Sequence, residues 1–258
     1  MAMDCYIIQH EPLLMAVRSC LSGLTVTNFD QLDEDYCDDI EFISSDILDL
    51  VKFDKVMRKF EVTSGAMLSR NVKSKVMGLG AWRGKEDWPE EISWIKSESQ
   101  LKIFGFLICP TYQETLEKTW SKVVISFERT LFSWSSRSLE TLSQRVEVVK
   151  MFAMSKLYYV AQVLPLLNRF RKRIERGLST FIFRGRQERL SLSEIENTRK
   201  QGGLGLVNIA IKSECLLLRQ TVRVLTLFRD KSYRHRGYWL GSFLTNTGGV
   251  KTFLNLRT

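Results

Sequence analysis

The sequence predicts an α+β fold, with short strands and helices mixed up to about residue 110 and helices alone beyond it. Three observations point there. Apolar and polar residues alternate with period two in Leu24–Phe29, as in a strand exposed on one side. Past residue 113 the apolar residues instead recur every three or four positions along two long stripes. Finally, 258 residues of which 44% are hydrophobic suffice to bury the core of one large domain or two smaller ones.

Taken in order, Leu13, Leu14, Val17, Cys20 and Leu21 stand at helical spacing behind Pro12, a residue suited to a first helical turn, and Gly23 ends that helix. A strand over Leu24–Phe29 and a second over Ile40–Ile43 enclose an acidic cluster, reading as strand, turn, strand. Asp46 caps a helix through Ile47, Leu50, Val51, Met57 and Phe60, which Ser64-Gly65 terminates. Short strands follow at Ala66–Leu68, Lys75–Leu79, Ser93–Ile95 and Leu101–Ile108, with a loop through Trp82–Pro89. Trp120, Val123, Val124, Phe127, Leu131 and Trp134 then form one helical stripe. Leu142, Val146, Val149, Ala153, Leu157 and Val160 form a second that stops near Pro165, and a third helix covers Phe170–Phe183.

The net charge of +9, with a pI near 9.4, favours a polyanionic partner. It is unevenly placed, with 5 Lys/Arg against 12 Asp/Glu in the first 60 residues. Carboxylates clustered for cations ahead of a basic phosphate track are what a metal-dependent enzyme acting on nucleic acid shows. Between Arg169 and Arg236, 17 Lys/Arg face 6 Asp/Glu, and Arg169, Arg171, Lys172, Arg173 and Arg176 share barely two helical turns. These five are the candidates for holding a nucleic-acid backbone. The interleaved Phe170, Phe181 and Phe183 read as core.

Cys5, Cys20, Cys37, Cys109 and Cys215 are odd in number and widely spaced, as expected of reduced thiols, and with only His10 and His235 a zinc site is not expected. No run approaches the roughly 18 to 20 apolar residues of a membrane span, and MAMDCYIIQHEP lacks the features of a secretory signal. The expectation is an intracellular protein, nuclear or cytoplasmic, without a membrane partner. The opening residues also read as an entry into the middle of a longer fold.

The stretch Asp33–Asp46, DEDYCDDIEFISSD, packs six carboxylates ahead of its first serine. A tight turn can bring the neighbours Asp38 and Asp39 to one edge, where their repulsion is relieved by a divalent cation, and Mg²⁺ is held in this way by one or two carboxylates plus substrate phosphates. An acidic surface turn is the alternative.

Tyr36-Cys37-Asp38-Asp39 resembles the tyrosine-x-Asp-Asp hairpin of reverse transcriptases, and its neighbours resemble the LINE-type, non-LTR retrotransposon branch in family order. Glu11-Pro12-Leu13-Leu14 is similar to the helix after the template-contacting segment. FEVTSGAMLSRNVKSK, Phe60–Lys75, is similar to a family block of Ser-Gly, Leu-Asn and Lys-Ser. QLKIFGFLI, Gln100–Ile108, is similar to the primer-grip strand. Ser133–Leu166, then FIFRGR and QGGLGL at 201–206, are similar to the helical thumb and the region beyond it.

The resemblance covers roughly residues 7 to 210 and implies a partial polymerase palm over 1–110, a thumb-like and post-thumb region over 111–240 and an unassigned tail over 241–258. It implies an RNA-directed DNA polymerase that binds RNA template and DNA primer and uses Mg²⁺ or Mn²⁺. Asp38 would be the principal metal ligand and Asp39 its partner. Lys73 would lie near the incoming triphosphate, Tyr36 would support the primer end, and Phe104-Gly105 would hold the primer. The family's remaining metal-binding aspartate lies on an earlier strand, upstream of the template-contacting segment. The 258-residue chain is therefore expected to be inactive alone, and a non-catalytic nucleic-acid-binding module built on the basic helices is the alternative.

Overall fold

The computed structural model describes residues 13, 15, 16, 19, 20, 24–26, 29–31, 33–36, 39–42, 44, 46–65, 67, 74–79, 82–84, 89–92, 96–185 and 190–229, with the backbone alone at 24–26, 29–31, 33–36, 39–42, 91, 96–97 and 224–229. The chain is α+β and divides into two compact units, Met1–Leu101 and Lys102–Thr258.

In the first unit, β1 (Leu24–Val26) pairs antiparallel with β2 (Phe29–Gln31), so the strand expected over Leu24–Phe29 folds back on itself between Val26 and Phe29. The acidic cluster is itself strand: β3 (Asp33–Tyr36) pairs with β4 (Asp39–Phe42). Helix α1 (Ile47–Ser64) starts where the Asp46 carboxylate accepts the Leu48 N–H and ends at Gly65, whose φ of 73° suits glycine. Its buried side carries Phe53 and Met57 with two carboxylates, Asp49 and Asp54. Asp49 accepts from Ser44 Oγ and Lys52 Nζ, both at 2.9 Å, and Asp54 accepts from Arg58 Nε at 2.6 Å, so neither charge is buried without a partner. The same Asp49 contact raises the Lys52 pKa. The short strands β5 (Lys75–Val76) and β6 (Lys96–Ser97) pair in parallel. Of the strand expected at Ala66–Leu68, Met67 alone is described and is exposed outside any strand, while Ser93–Ile95 lies outside the described residues.

In the second unit the strand expected over Leu101–Ile108 is a hairpin, β7 (Leu101–Ile103) and β8 (Phe106–Ile108), and it packs on the helices. That packing places the division between the units about nine residues ahead of residue 110, where sequence texture changes. Thr111 caps α2 (Tyr112–Ser135) by accepting the Glu114 N–H. From α2, Thr119 Oγ1 accepts the Leu107 N–H at 3.1 Å and Thr115 Oγ1 accepts the Cys109 N–H at 2.8 Å; each hydroxyl donates in return to the same residue's carbonyl at 3.4 Å. Two strand residues advance about 6.6 Å and four helical residues about 6 Å, so the two pairs stay in register.

After α2 the chain returns through α3 (Leu142–Val148), a π-helical turn at Val149–Ala153, and α4 (Met154–Ala161). It then runs alongside α2 in α5 (Asn168–Phe183). The core is a set of facing stripes: Leu116, Trp120, Val124, Phe127 and Leu131 from α2, Val146, Val149, Ala153, Leu157 and Val160 from the returning helix, and Phe170, Ile174, Leu178 and Ile182 from α5. Gly177 of α5 lies against Phe127 and Leu131 of α2, and a Cβ there would make ordinary contact with both side chains. The short helix α6 (Leu192–Glu196) and the long α7 (Ile209–Arg229) complete the unit. None of the described helices is long and apolar enough to cross a membrane.

Thr115→Val or Thr119→Val keeps the side-chain shape and leaves a backbone N–H, that of Cys109 or of Leu107, without its acceptor. Each is expected to lower unfolding free energy by about 1–3 kcal/mol. Thr→Ser at the same positions is expected to lose less, as read by urea denaturation.

Candidate nucleic-acid interface

The register of the β3–β4 hairpin pairs Tyr36 directly with Asp39. Asp38 and Lys73 lie outside the described residues, and of Tyr36 and Asp39 the backbone alone is described. Among the described residues no three or more His, Cys, Asp or Glu side chains group so as to hold a metal ion.

Phe104 and Gly105 form the turn between β7 and β8, with φ of 45° and 87°. Two successive positive φ values are those of the turn that matches the twist of a tight hairpin. Glycine adopts such a value freely, whereas a phenylalanine there stores on the order of 1–3 kcal/mol of backbone strain. The conformation is held from α4, where Tyr159 donates its hydroxyl to the Phe104 carbonyl at 2.6 Å and stands with its ring centroid 5.4 Å from that of Phe106. A Cβ on Gly105 would lie 3.5 Å from the Tyr159 ring. The Phe104 side chain stays 40% exposed, so the strained turn presents an aromatic group.

On α5 the buried residues 170, 174, 178, 181 and 182 define one side, and Arg169, Lys172, Arg173 and Arg176 stand exposed on the other. Arg171 falls toward the buried side, half-buried, its Nε 3.7 Å from Glu175 and without a hydrogen-bond partner. The exposed arginines are not all free. Arg169 meets Glu117 of α2 at 2.8 Å, and Arg173 makes a two-pronged pair with Glu128, both N–O distances 2.6 Å. The hydrogen bonds to Glu128 raise the Arg173 pKa, and hydrogen bonds from Gln113 and then Arg169 lower that of Glu117. Lys172 and Arg176 have no ion-pair partner among the described residues.

A second row of cations does not stand out as a dense run in the sequence. Lys118, Lys122 and Arg129 of α2 are exposed with Ile125 and Phe132, at the three- and four-residue spacing of one helical stripe. Lys118 lies 3.9 Å from Glu114, while Lys122 and Arg129 have no ion-pair partner among the described residues. The 118-122-125-129-132 spacing is the signal that the sequence does carry, and it shows on a helical face rather than in charge density along the chain. The α2–α5 surface therefore bears seven cations, two of them locked to Glu117 and Glu128. It can neutralise phosphates that run across two adjacent helices. The segment QGGLGL is a tight turn in which Gly203 has no alternative, because a Cβ there would fall 2.1 Å from the Asn197 carbonyl oxygen.

Replacing Glu117 and Glu128 together with glutamine is expected to release two arginines and raise affinity for a nucleic-acid duplex. The plot of log affinity against log salt should steepen by about two units, since each added phosphate contact contributes about 0.9. Unchanged affinity and slope would show that these arginines do not meet phosphate. Because folding lowers the Glu117 pKa below its ordinary 4.5, its contribution to stability is complete above that value and is lost as pH falls through the lower folded one. Glu117→Gln is expected to make the acid loss of stability below pH 4.5 shallower in a thermal-melt series. No family model matches the sequence, and no curated protein is significantly similar to it.

Proposed function

We propose that this chain is part of a LINE-type reverse transcriptase and that its helical unit holds the backbone of a template-primer duplex. The observation that carries the reading is the pair of adjacent exposed cation rows on α2 and α5, Lys118, Lys122 and Arg129 beside Arg169, Lys172, Arg173 and Arg176. Two rows on neighbouring helices suit a ligand with charge at regular intervals along two strands. The strained Phe104–Gly105 turn supports it from the same unit. A stored conformation that exposes an aromatic side chain suits contact with the end of a primer.

On this reading Asp38 and Asp39 would carry Mg²⁺ or Mn²⁺ at the hairpin, as the resemblance implies. The metal would activate a primer hydroxyl and stabilise the leaving pyrophosphate. The cation rows lie among the described residues and Asp38 does not, so holding the duplex is the part of that function assigned to the helical unit.

The test is binding of the purified chain to an RNA–DNA hybrid across a salt series, beside primer extension with Mg²⁺ or Mn²⁺. Five cations without a tight ion pair predict a log–log slope of about −4 to −5, with little dependence on base sequence. Lys172→Gln with Arg176→Gln is expected to reduce that slope by about two. No extension is expected from the wild-type chain. Binding that ignores salt, or none at low salt, would overturn the interface, and extension abolished by Asp38→Asn with Asp39→Asn would overturn the expectation that the chain is inactive alone.

A further inference from the structure

Helix α7 carries two stripes on opposite sides. Ile209, Ser213 and Leu216 are buried where it packs on α4, and Lys212 beside them lies over the Tyr158 ring, 5.7 Å from its centroid. On the far side Ile211, Cys215, Leu218 and Val222 are exposed, Ile211 by 64% and Leu218 and Val222 by 51% each. We propose that this outer stripe is the seam of a parallel two-stranded coiled coil formed with α7 of a second copy of the chain. The proposal does not rest on the polymerase reading.

Apolar residues exposed singly are ordinary on a protein surface. These four are not scattered. At 3.6 residues per turn they fall within about 60° of one another, opposite the side that meets α4. Ile211, Leu218 and, along the helix backbone, Leu225 repeat every seven residues, with Cys215 and Val222 repeating between them. Those are the d and a places of a heptad. A β-branched residue at a, as Val222 is, with leucine at d is the combination that favours two strands over three or four.

The second half of α7 gains little from its own unit. From Leu217 to Arg223 no residue is buried, yet the helix continues to Arg229. Helices in proteins owe most of their stability to packing of an apolar face rather than to propensity, and the outer stripe is the face available for it. The first half, anchored by Ile209 and Leu216, is ordered before any association, which lowers the entropy that pairing must overcome.

Charge selects both the occupant and its direction. The places that flank the seam hold Glu214 at g and Arg219 at e, both exposed and without an ion-pair partner among the described residues. In a parallel pair the g residue of one helix meets the e residue five positions on in the other. Glu214 therefore meets Arg219 of the second copy, and its own Arg219 meets the second Glu214, so the same stripe supplies both halves of two ion pairs. Reversing one helix sets e beside e, where Lys212 and Arg219 are both cations.

The test is sedimentation equilibrium of the full chain, freed of nucleic acid, over a range of concentrations. The mass is expected to rise with concentration from 30.0 kDa toward twice that value. Leu218→Glu, on the exposed side of the helix, is expected to hold the chain at the monomer mass with the helix content of dilute wild type. Arg219→Glu is expected to weaken association at least tenfold, and Glu214→Arg added to it to restore association. Cys215 stands at an a place, so in the parallel arrangement the two copies of it face each other at one level of the seam. Diamide, which takes up the two hydrogens of a thiol pair as the disulfide forms, is expected to link the chains there and to lose that link in Cys215→Ser. A monomer at every concentration would leave the stripe to a different protein and overturn the proposal. Association that Leu218→Glu leaves intact, or that diamide links only through other cysteines, would overturn it as well.

Discussion

Trp120 is the point on which the helical unit turns. Its side chain is wholly buried, and its indole N–H donates to the carbonyl of Pro165 at 2.9 Å. An indole N–H left without an acceptor at that depth would cost on the order of 1–3 kcal/mol, so the loop after α4 is pinned to the first half of α2. Pinning that loop fixes where α5 begins. Two residues into it, Arg169 stands beside Glu117, and further along Gly177 rests against Phe127 and Leu131. The adjacent cation rows therefore follow from one hydrogen bond of a buried indole and from the packing of α5 on α2.

Helix α1 was legible in the sequence almost to the residue, because its determinants are local: an aspartate cap, a period of 3.6 and a glycine stop. The same holds for α2 and α5, whose apolar stripes are their buried faces. The strands were harder. Leu24–Phe29 and Leu101–Ile108 both read as single runs, yet both fold back, the second through a phenylalanine at positive φ that no turn preference would choose. Tertiary contact from Tyr159, 55 positions away, overrides local preference there.

The candidate interface shows the same division. Basic density on α5 is visible in the sequence; its partial neutralisation is not, because Glu117 and Glu128 lie about 45 to 52 residues earlier and meet Arg169 and Arg173 only after the helices pack. Arg171 illustrates the reverse error. Counted as a cation with its neighbours, it falls on the side of the helix that faces inward, which only its angular position reveals.

The threonine pairs between α2 and β8 have a consequence for assembly. A strand at the margin of a sheet ordinarily offers a row of free amides and carbonyls that recruit other chains. Along β8 one side is taken by β7, and Leu107, with Cys109 just beyond the strand, gives the other to hydroxyls. A side chain that can both give and accept a hydrogen bond closes that margin without adding a strand. Growth of this small sheet, whether by a partner's segment or by misassembly of neighbouring copies, is thereby directed to β7 alone.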